Sequence, residues 1–158
     1  MKRIVLLVSL GFAALAVAVA AIAKSGPDRS LRSTLAPSMP APTDPQVHGV
    51  NPGGVPWQLT RGTVKLESDG KLKVDIRGLV IPTLGTAGPV TSVSASLFCG
   101  ADTNKTAAAT TSTVPLSSKG NGRIEQRITL PATCLAPIVL VNPNGNSAAY
   151  IAITGWRS

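Results

Sequence analysis

Few side chains in this sequence can do chemistry, and their types and spacing narrow what that chemistry is. Cys99 and Cys134 are the two cysteines, and no C-x-x-C pair or thiolate-stabilising neighbour accompanies them. They read as a structural disulfide and not as a redox couple. His48 is the single histidine and sits in a Pro-rich segment. One imidazole excludes a zinc site of several histidines, and its place excludes a Ser-His-Asp or Cys-His arrangement in the domain that follows. Glu67, Asp75 and Glu125 could act in pairs on a sugar bond, one as acid and one as nucleophile or base. Each of them alternates with Lys or Arg, which is the pattern of exposed cross-strand ion pairs. Asp102 and Asn104 form a D-x-N, and Asn142, Asn144 and Asn146 crowd a second loop. Calcium takes about six to eight oxygens, usually with two or more carboxylates. These residues therefore read as turn formers, and Asn104-Lys105-Thr106 also matches a glycosylation sequon. No nucleophile elbow, phosphate-cradling glycine loop or H-E-x-x-H occurs. The expectation is a chain with no catalytic, cofactor or metal site.

The elements that would position these residues are strands. In Thr63 to Glu67 and Lys71 to Arg77, the apolar Val64, Leu66, Leu72, Val74 and Ile76 share one face and charged residues the other. That period of two predicts half-buried antiparallel strands, and Ser68-Asp69-Gly70 between them predicts a hairpin turn. A third strand is expected over Val90 to Cys99, with Val93, Ala95, Leu97 and Cys99 inward and Phe98 turned outward. Further strands are expected over Thr106 to Val114, Arg123 to Leu130, Pro137 to Val141 and Ala148 to Trp156, with Asn142-Pro143-Asn144-Gly145 as a tight turn. Seven or eight short strands with turns at intervals of roughly ten residues predict an all-β, immunoglobulin-like, two-sheet antiparallel sandwich.

Ahead of these strands, Lys2 and Arg3 precede an apolar run from Ile4 to Ala23 that ends in Ala21 and Ala23. This is the order of a signal peptide, so residues 1–23 are expected to direct export, with cleavage favoured by the alanine-rich end of the run. The alternative is an uncleaved anchor formed by residues 4–23, which would leave the domain in the same extracytoplasmic compartment. Residues 24–54 carry Pro27, Pro37, Pro40, Pro42, Pro45 and Pro52 without an apolar period, and are expected to be a disordered linker. Residues 55–158 are then the β domain, in an oxidising compartment where Cys99 and Cys134 pair.

The chain has 15 Lys and Arg against 7 Asp and Glu, a net charge of +8. Without Lys2 and Arg3 it is 13 against 7, or +6. Lys65, Lys71, Lys73, Arg77, Lys105, Lys119, Arg123 and Arg127 look scattered, and aromatics make up 3% of the chain. This predicts a solvated basic sheet face and no nucleic-acid partner, since single strands need stacking aromatics. Attraction to an acidic wall or to lipid headgroups stays compatible with that face. Trp57, Phe98 and Trp156 are the candidate ligand contacts, with the two tryptophans expected more to plug the ends of the sandwich and Phe98 to be the exposed one.

The order Gly62 to Gly78, Cys99, Leu130-Pro131 to Cys134 and Pro137, then Tyr150-Ile151-Ala152 to Gly155 resembles a set of uncharacterised small secreted bacterial proteins with one cysteine pair. The resemblance covers the β domain and implies no activity. The expected function is non-catalytic binding of an envelope component or a protein. The alternatives are a small carboxylate-dependent hydrolase acting on wall or carbohydrate substrates, and a structural envelope protein.

Overall fold

The computed structural model describes residues 31–155. The expected leader at 1–23, the first part of the expected linker at 24–30 and Trp156 lie outside the described residues. In chain order the strands are β1 (Leu31–Pro37), β2 (Asn51–Pro52), β3 (Arg61–Leu66), β4 (Lys71–Arg77), β5 (Ser92–Phe98) and β6 (Ala109–Thr110). They continue with β7 (Val114–Pro115), β8 (Gly122–Arg127), β9 (Ile138–Pro143), β10 (Ala149–Tyr150) and β11 (Ala152–Thr154). Among the described residues there is no helix, as the period of two predicts.

The β3–β4 hairpin forms where alternation and turn chemistry agree. Val64 pairs with Val74 and Leu66 with Leu72, while Gly70 takes φ of 85° in the turn. A Cβ on Gly70 would sit 2.1 Å from the carbonyl oxygen of Ile128, so the turn is closed to every other residue by the strand beside it.

The strands join in one antiparallel sheet in the order β6-β5-β9-β11-β1-β3-β4-β8, with β7 beside β6 on the edge of β5. The sheet curls about β1. The first half of β1 pairs with β3 through Leu31–Leu66 to Thr34–Thr63, and its second half pairs with β11 through Leu35–Thr154 to Pro37–Ala152. Curling brings the inner face of β3, β4 and β8 onto the inner face of β5, β9 and β11. Leu72, Val74, Ile76 and Ile124 from the first group pack in one cluster with Val93, Leu97, Val139 and Val141 from the second. Beyond Phe98, Cys99 is bonded to Cys134 in the loop before β9, with the Cα atoms 5.0 Å apart and 35 positions between them. Closing a loop of that length restricts the unfolded chain by about 3 to 4 kcal/mol.

Two expectations are corrected. Residues 31–54 are not a linker: β1 lies in the middle of the sheet, and the prolines that follow belong to a cap. Val47 and Val50 bridge across His48 and Gly49, which take φ of 50° and 79°, and β2 pairs in parallel with β10 as a second small sheet. The Tyr150 hydroxyl donates to the Pro45 carbonyl at 2.9 Å, which ties the cap down. Second, Phe98 does point away from Leu97, as alternation requires, but it is 3% exposed because the cap covers that face. Val50, Phe98, Leu140 and Tyr150 form a separate apolar cluster there, flanked by Val47, Ile138 and Ile153. Shorter differences follow the same logic. The Thr106 to Val114 run splits into β6 and β7, and the last strand breaks at Ile151 between β10 and β11.

Candidate functional site

The carboxylates weighed as a catalytic pair are each held by cations. Glu67 lies 2.7 Å from Lys65; Glu125 lies 3.1 Å from Lys71, 3.3 Å from Lys73 and 3.1 Å from Arg123. Asp75 lies 3.7 Å from the Arg123 guanidinium, and Asp69 2.9 Å from that of Arg127. The Lys65 hydrogen bond holds the Glu67 carboxyl below its ordinary value, and Lys71 and Lys73 do the same for Glu125. Glu125 in turn raises the Lys71 ammonium. A general acid needs a carboxyl pushed the other way, toward neutral pH.

Asp102 and Asn104 are used in holding the cap. The Asp102 carboxylate accepts from the His48 backbone amide, which lowers its pKa, and the Asn104 carbonyl accepts from His48 Nδ1 at 2.7 Å. Because a carbonyl only accepts, Nδ1 carries the proton. The His48 ring stacks on Phe98 with centroids 4.7 Å apart and planes 13° apart. His48 is thus a packing residue of the cap, 1% exposed, at the wall of a cleft of about 470 Å³ that Ser96 and Lys105 also line. Trp57 is 4% exposed and fills the core as expected, its Nε1 only 2.9 Å from where a Cβ on Gly53 would be. Trp57 and Phe98 therefore offer no exposed ring, and among the described residues no group of three or more His, Cys, Asp or Glu could hold a metal ion.

What the structure gathers is basic charge. On the outer face of β1, β3, β4 and β8, side chains of opposite residues point the same way. One row runs Arg32, Lys65, Lys73, Glu125 across the four strands; the next runs Thr34, Thr63, Asp75, Arg123. Arg61 faces Arg77 at one end, and Lys71 faces Arg127 at the other. Eight of the ten Lys and Arg of residues 31–155 are here, against Glu67, Asp75, Glu125 and, in the turn, Asp69. Elsewhere Lys105 and Lys119 are offset by Asp44 and Asp102, so the whole excess of positive charge in the described residues lies on this face. Six of the eight residues that looked scattered along the chain are clustered in space. Arg32 and Arg61 complete the patch and were missed, because Arg32 lay in the expected linker and Arg61 just ahead of the expected strand.

The pairing within the patch is unusual in kind. Four cross-strand pairs set like charges opposite each other: Arg32–Lys65, Lys65–Lys73, Arg61–Arg77 and Lys71–Arg127. Two set opposite charges together, Lys73–Glu125 and Asp75–Arg123. Like charges directly opposite destabilise a sheet, by about 0.2 to 1 kcal/mol on the scale of such pairs.

At the hairpin end the patch meets an apolar groove of about 560 Å³, lined by Leu31, Leu66, Leu130, Pro131, Leu135 and Pro137 among others. Leu135 is 70% exposed there, beside the disulfide at Cys134. A neighbouring cleft holds the Asp69–Arg127 ion pair and shares Ser68 and Leu130 with the groove, so the cationic and apolar surfaces are continuous.

In comparisons with known proteins, the chain matches no family model, no curated protein and no solved structure.

Proposed function

We propose that the protein is an extracytoplasmic, non-catalytic binding module with an immunoglobulin-like sandwich fold, and that the outer face of β1, β3, β4 and β8 takes an anionic component of the cell envelope. One observation carries this reading: four like-charge cross-strand pairs occupy a single open face where three carboxylate substitutions would have removed the repulsion. A fold under selection for stability alone has no reason to keep them, whereas a surface that must attract anions does. The disulfide fits an oxidising compartment, as the basic and apolar leader does. The face presents no aromatic side chain on which bases could stack, which speaks against single-stranded nucleic acid.

The test is binding of the full chain to an anionic polymer, with polyphosphate and neutral dextran as probes. Polyphosphate is expected to bind, to weaken as salt is raised from about 50 to 200 mM and to be lost in a Lys65→Glu, Lys73→Glu double variant. Equal binding of both polymers, or polyphosphate binding indifferent to salt and to the double variant, overturns the reading.

A further inference from the structure

We infer that the hairpin end of the domain docks on an anionic phospholipid bilayer, with Leu135 and the groove beside it against the acyl chains and the basic face against the headgroups. This deepens the proposed function by naming the partner, and rests on it.

The apolar and cationic surfaces meet residue by residue. Leu31 precedes Arg32 on β1, Leu66 follows Lys65 on β3, and Arg127 ends β8 three positions before Leu130. In β1 and β3 one side chain turns to the groove or core and its neighbour to the basic face, and Leu130 follows the end of β8 into the groove, so a single edge of the molecule offers both. A soluble polyanion answers only the charge. A bilayer of anionic lipid answers both, since its negative headgroups overlie an apolar interior within a few ångströms of depth. A sugar polymer would leave Leu135 in water, and a neutral membrane would leave the excess positive charge of the face, the Arg61–Arg77 pair above all, without a counter-charge.

The loop that presents Leu135 is also fixed in advance. Cys134, its chain neighbour, is bonded to Cys99, and the Leu135 carbonyl accepts from the Gly100 amide at 2.7 Å. Pro131 and Pro137 bracket the segment and restrict its backbone further. An apolar side chain held outward by a disulfide, a hydrogen bond and two prolines loses little entropy on insertion. Chain reach points the same way. Seven residues, 24–30, separate the apolar run ending at Ala23 from Leu31, which itself lines the groove. Fully extended they span at most about 25 Å, so in the uncleaved alternative, with the run seated in a bilayer, this end of the domain stays beside it.

The experiment places a reporter at the proposed insertion point. Full chain carrying Leu135→Trp is mixed with vesicles of phosphatidylglycerol, with vesicles of phosphatidylcholine, and with soluble polyphosphate, and the emission above that of the unsubstituted chain is read. Leu135 is exposed, so the substitution leaves the core alone. A blue shift quenched by bromine on the acyl chains, seen with phosphatidylglycerol and not with phosphatidylcholine or polyphosphate, is the expected result. The apolar leader can enter both kinds of vesicle, so the lipid charge isolates the docking of this end. Absence of quenching with phosphatidylglycerol while polyphosphate still binds the chain overturns the bilayer and leaves the anionic reading standing. Equal quenching in both vesicles also overturns it, because the basic face would then have no part. Failure to bind either polyphosphate or phosphatidylglycerol removes both proposals together.

Discussion

The two outer faces of the curled sheet have been treated in opposite ways. Behind β5, β9 and β11 the chain lays a proline-rich cap that buries Phe98 and Leu140 and partly covers Ile153. Behind β1, β3, β4 and β8 it lays nothing among the described residues, and leaves a field of Lys and Arg whose strand register sets like charges opposite each other. One face is finished for stability and the other is not. The difference teaches that the unfinished face is where an external partner would supply what the fold withholds.

The sharpest way to break this contrast is to truncate one residue on each face. Phe98→Ala removes a ring stacked on His48 and packed with Tyr150 and Leu140, and is expected to cost about 3 to 5 kcal/mol. Lys73→Ala on the bare face is expected to change stability by less than about 0.5 kcal/mol. Denaturant midpoints of the two variants measure both, and a similar loss at Lys73 would mean that the basic face is structural after all.

Reduction of the disulfide comes next in size. Separating Cys99 from Cys134 frees the loop that ends β8 and begins β9, and the chain-entropy model gives a loss of about 3 to 4 kcal/mol. A Cys99→Ala, Cys134→Ala variant is expected to melt at lower temperature yet keep the charged face intact, since β3, β4 and β8 pair without help from either cysteine. Polyphosphate affinity measured well below the melting point should therefore hold, and its collapse would show that the two regions are not independent.

These two regions were also unequally legible. The β3–β4 hairpin could be read off because strict alternation and an Asp-Gly turn are local signals that agree. The cap could not. The strand that leads into it, β1, offers only Leu31 and Leu35 at the spacing of two, with Ser33 between them, and five prolines from 37 to 52 suggest a tail. In the fold those prolines suit a covering layer, because a residue without an amide proton adds no donor that must be satisfied under the sheet. The cap is held instead by a few bonds such as Ser38 amide to Ile151 carbonyl at 3.0 Å and Tyr150 hydroxyl to Pro45 carbonyl. Phe98 was placed on the correct face by alternation and given the wrong surroundings, since alternation says nothing of what lies beyond a sheet. The basic face had the reverse history. Its side chains were read as outward, but their assembly into one patch depends on strand order and register, and neither is written in spacing along the chain.

A smaller and more pointed effect is expected at Arg77. Arg77 faces Arg61 across β3 and β4, and neither has a salt bridge or hydrogen bond from its side chain among the described residues. Arg77→Glu turns a repulsive pair into an attractive one and is expected to raise stability by about 0.2 to 1 kcal/mol. The same change removes two units of positive charge from the face and is expected to weaken polyphosphate binding. Stability and affinity moving in opposite directions would be the signature of a face shaped by its partner, and loss of both would argue that Arg77 does structural work.

The mildest perturbation is acid. Ion pairs and hydrogen bonds hold Glu67, Asp69 and Glu125 below their ordinary values of 4.5, 3.8 and 4.5. A carboxyl with a depressed folded pKa adds stability that is complete above the unfolded value and disappears as pH falls through the folded one. All three belong to the bare face, so the loss should begin below about pH 4.5 and be small, because exposed pairs contribute little. On the capped side Asp102 is also held below its ordinary value, by the His48 amide, but it lies in the loop after β5, so its protonation loosens the edge of the cap and leaves the pairing of β5 with β9 in place. Hydrogen exchange followed from pH 6 to 3 should therefore show protection falling first in β3, β4 and β8, with β5 and β9 following only at global unfolding. A first loss of protection in β5 and β9 would reverse the assignment of which region depends on charge and which on packing.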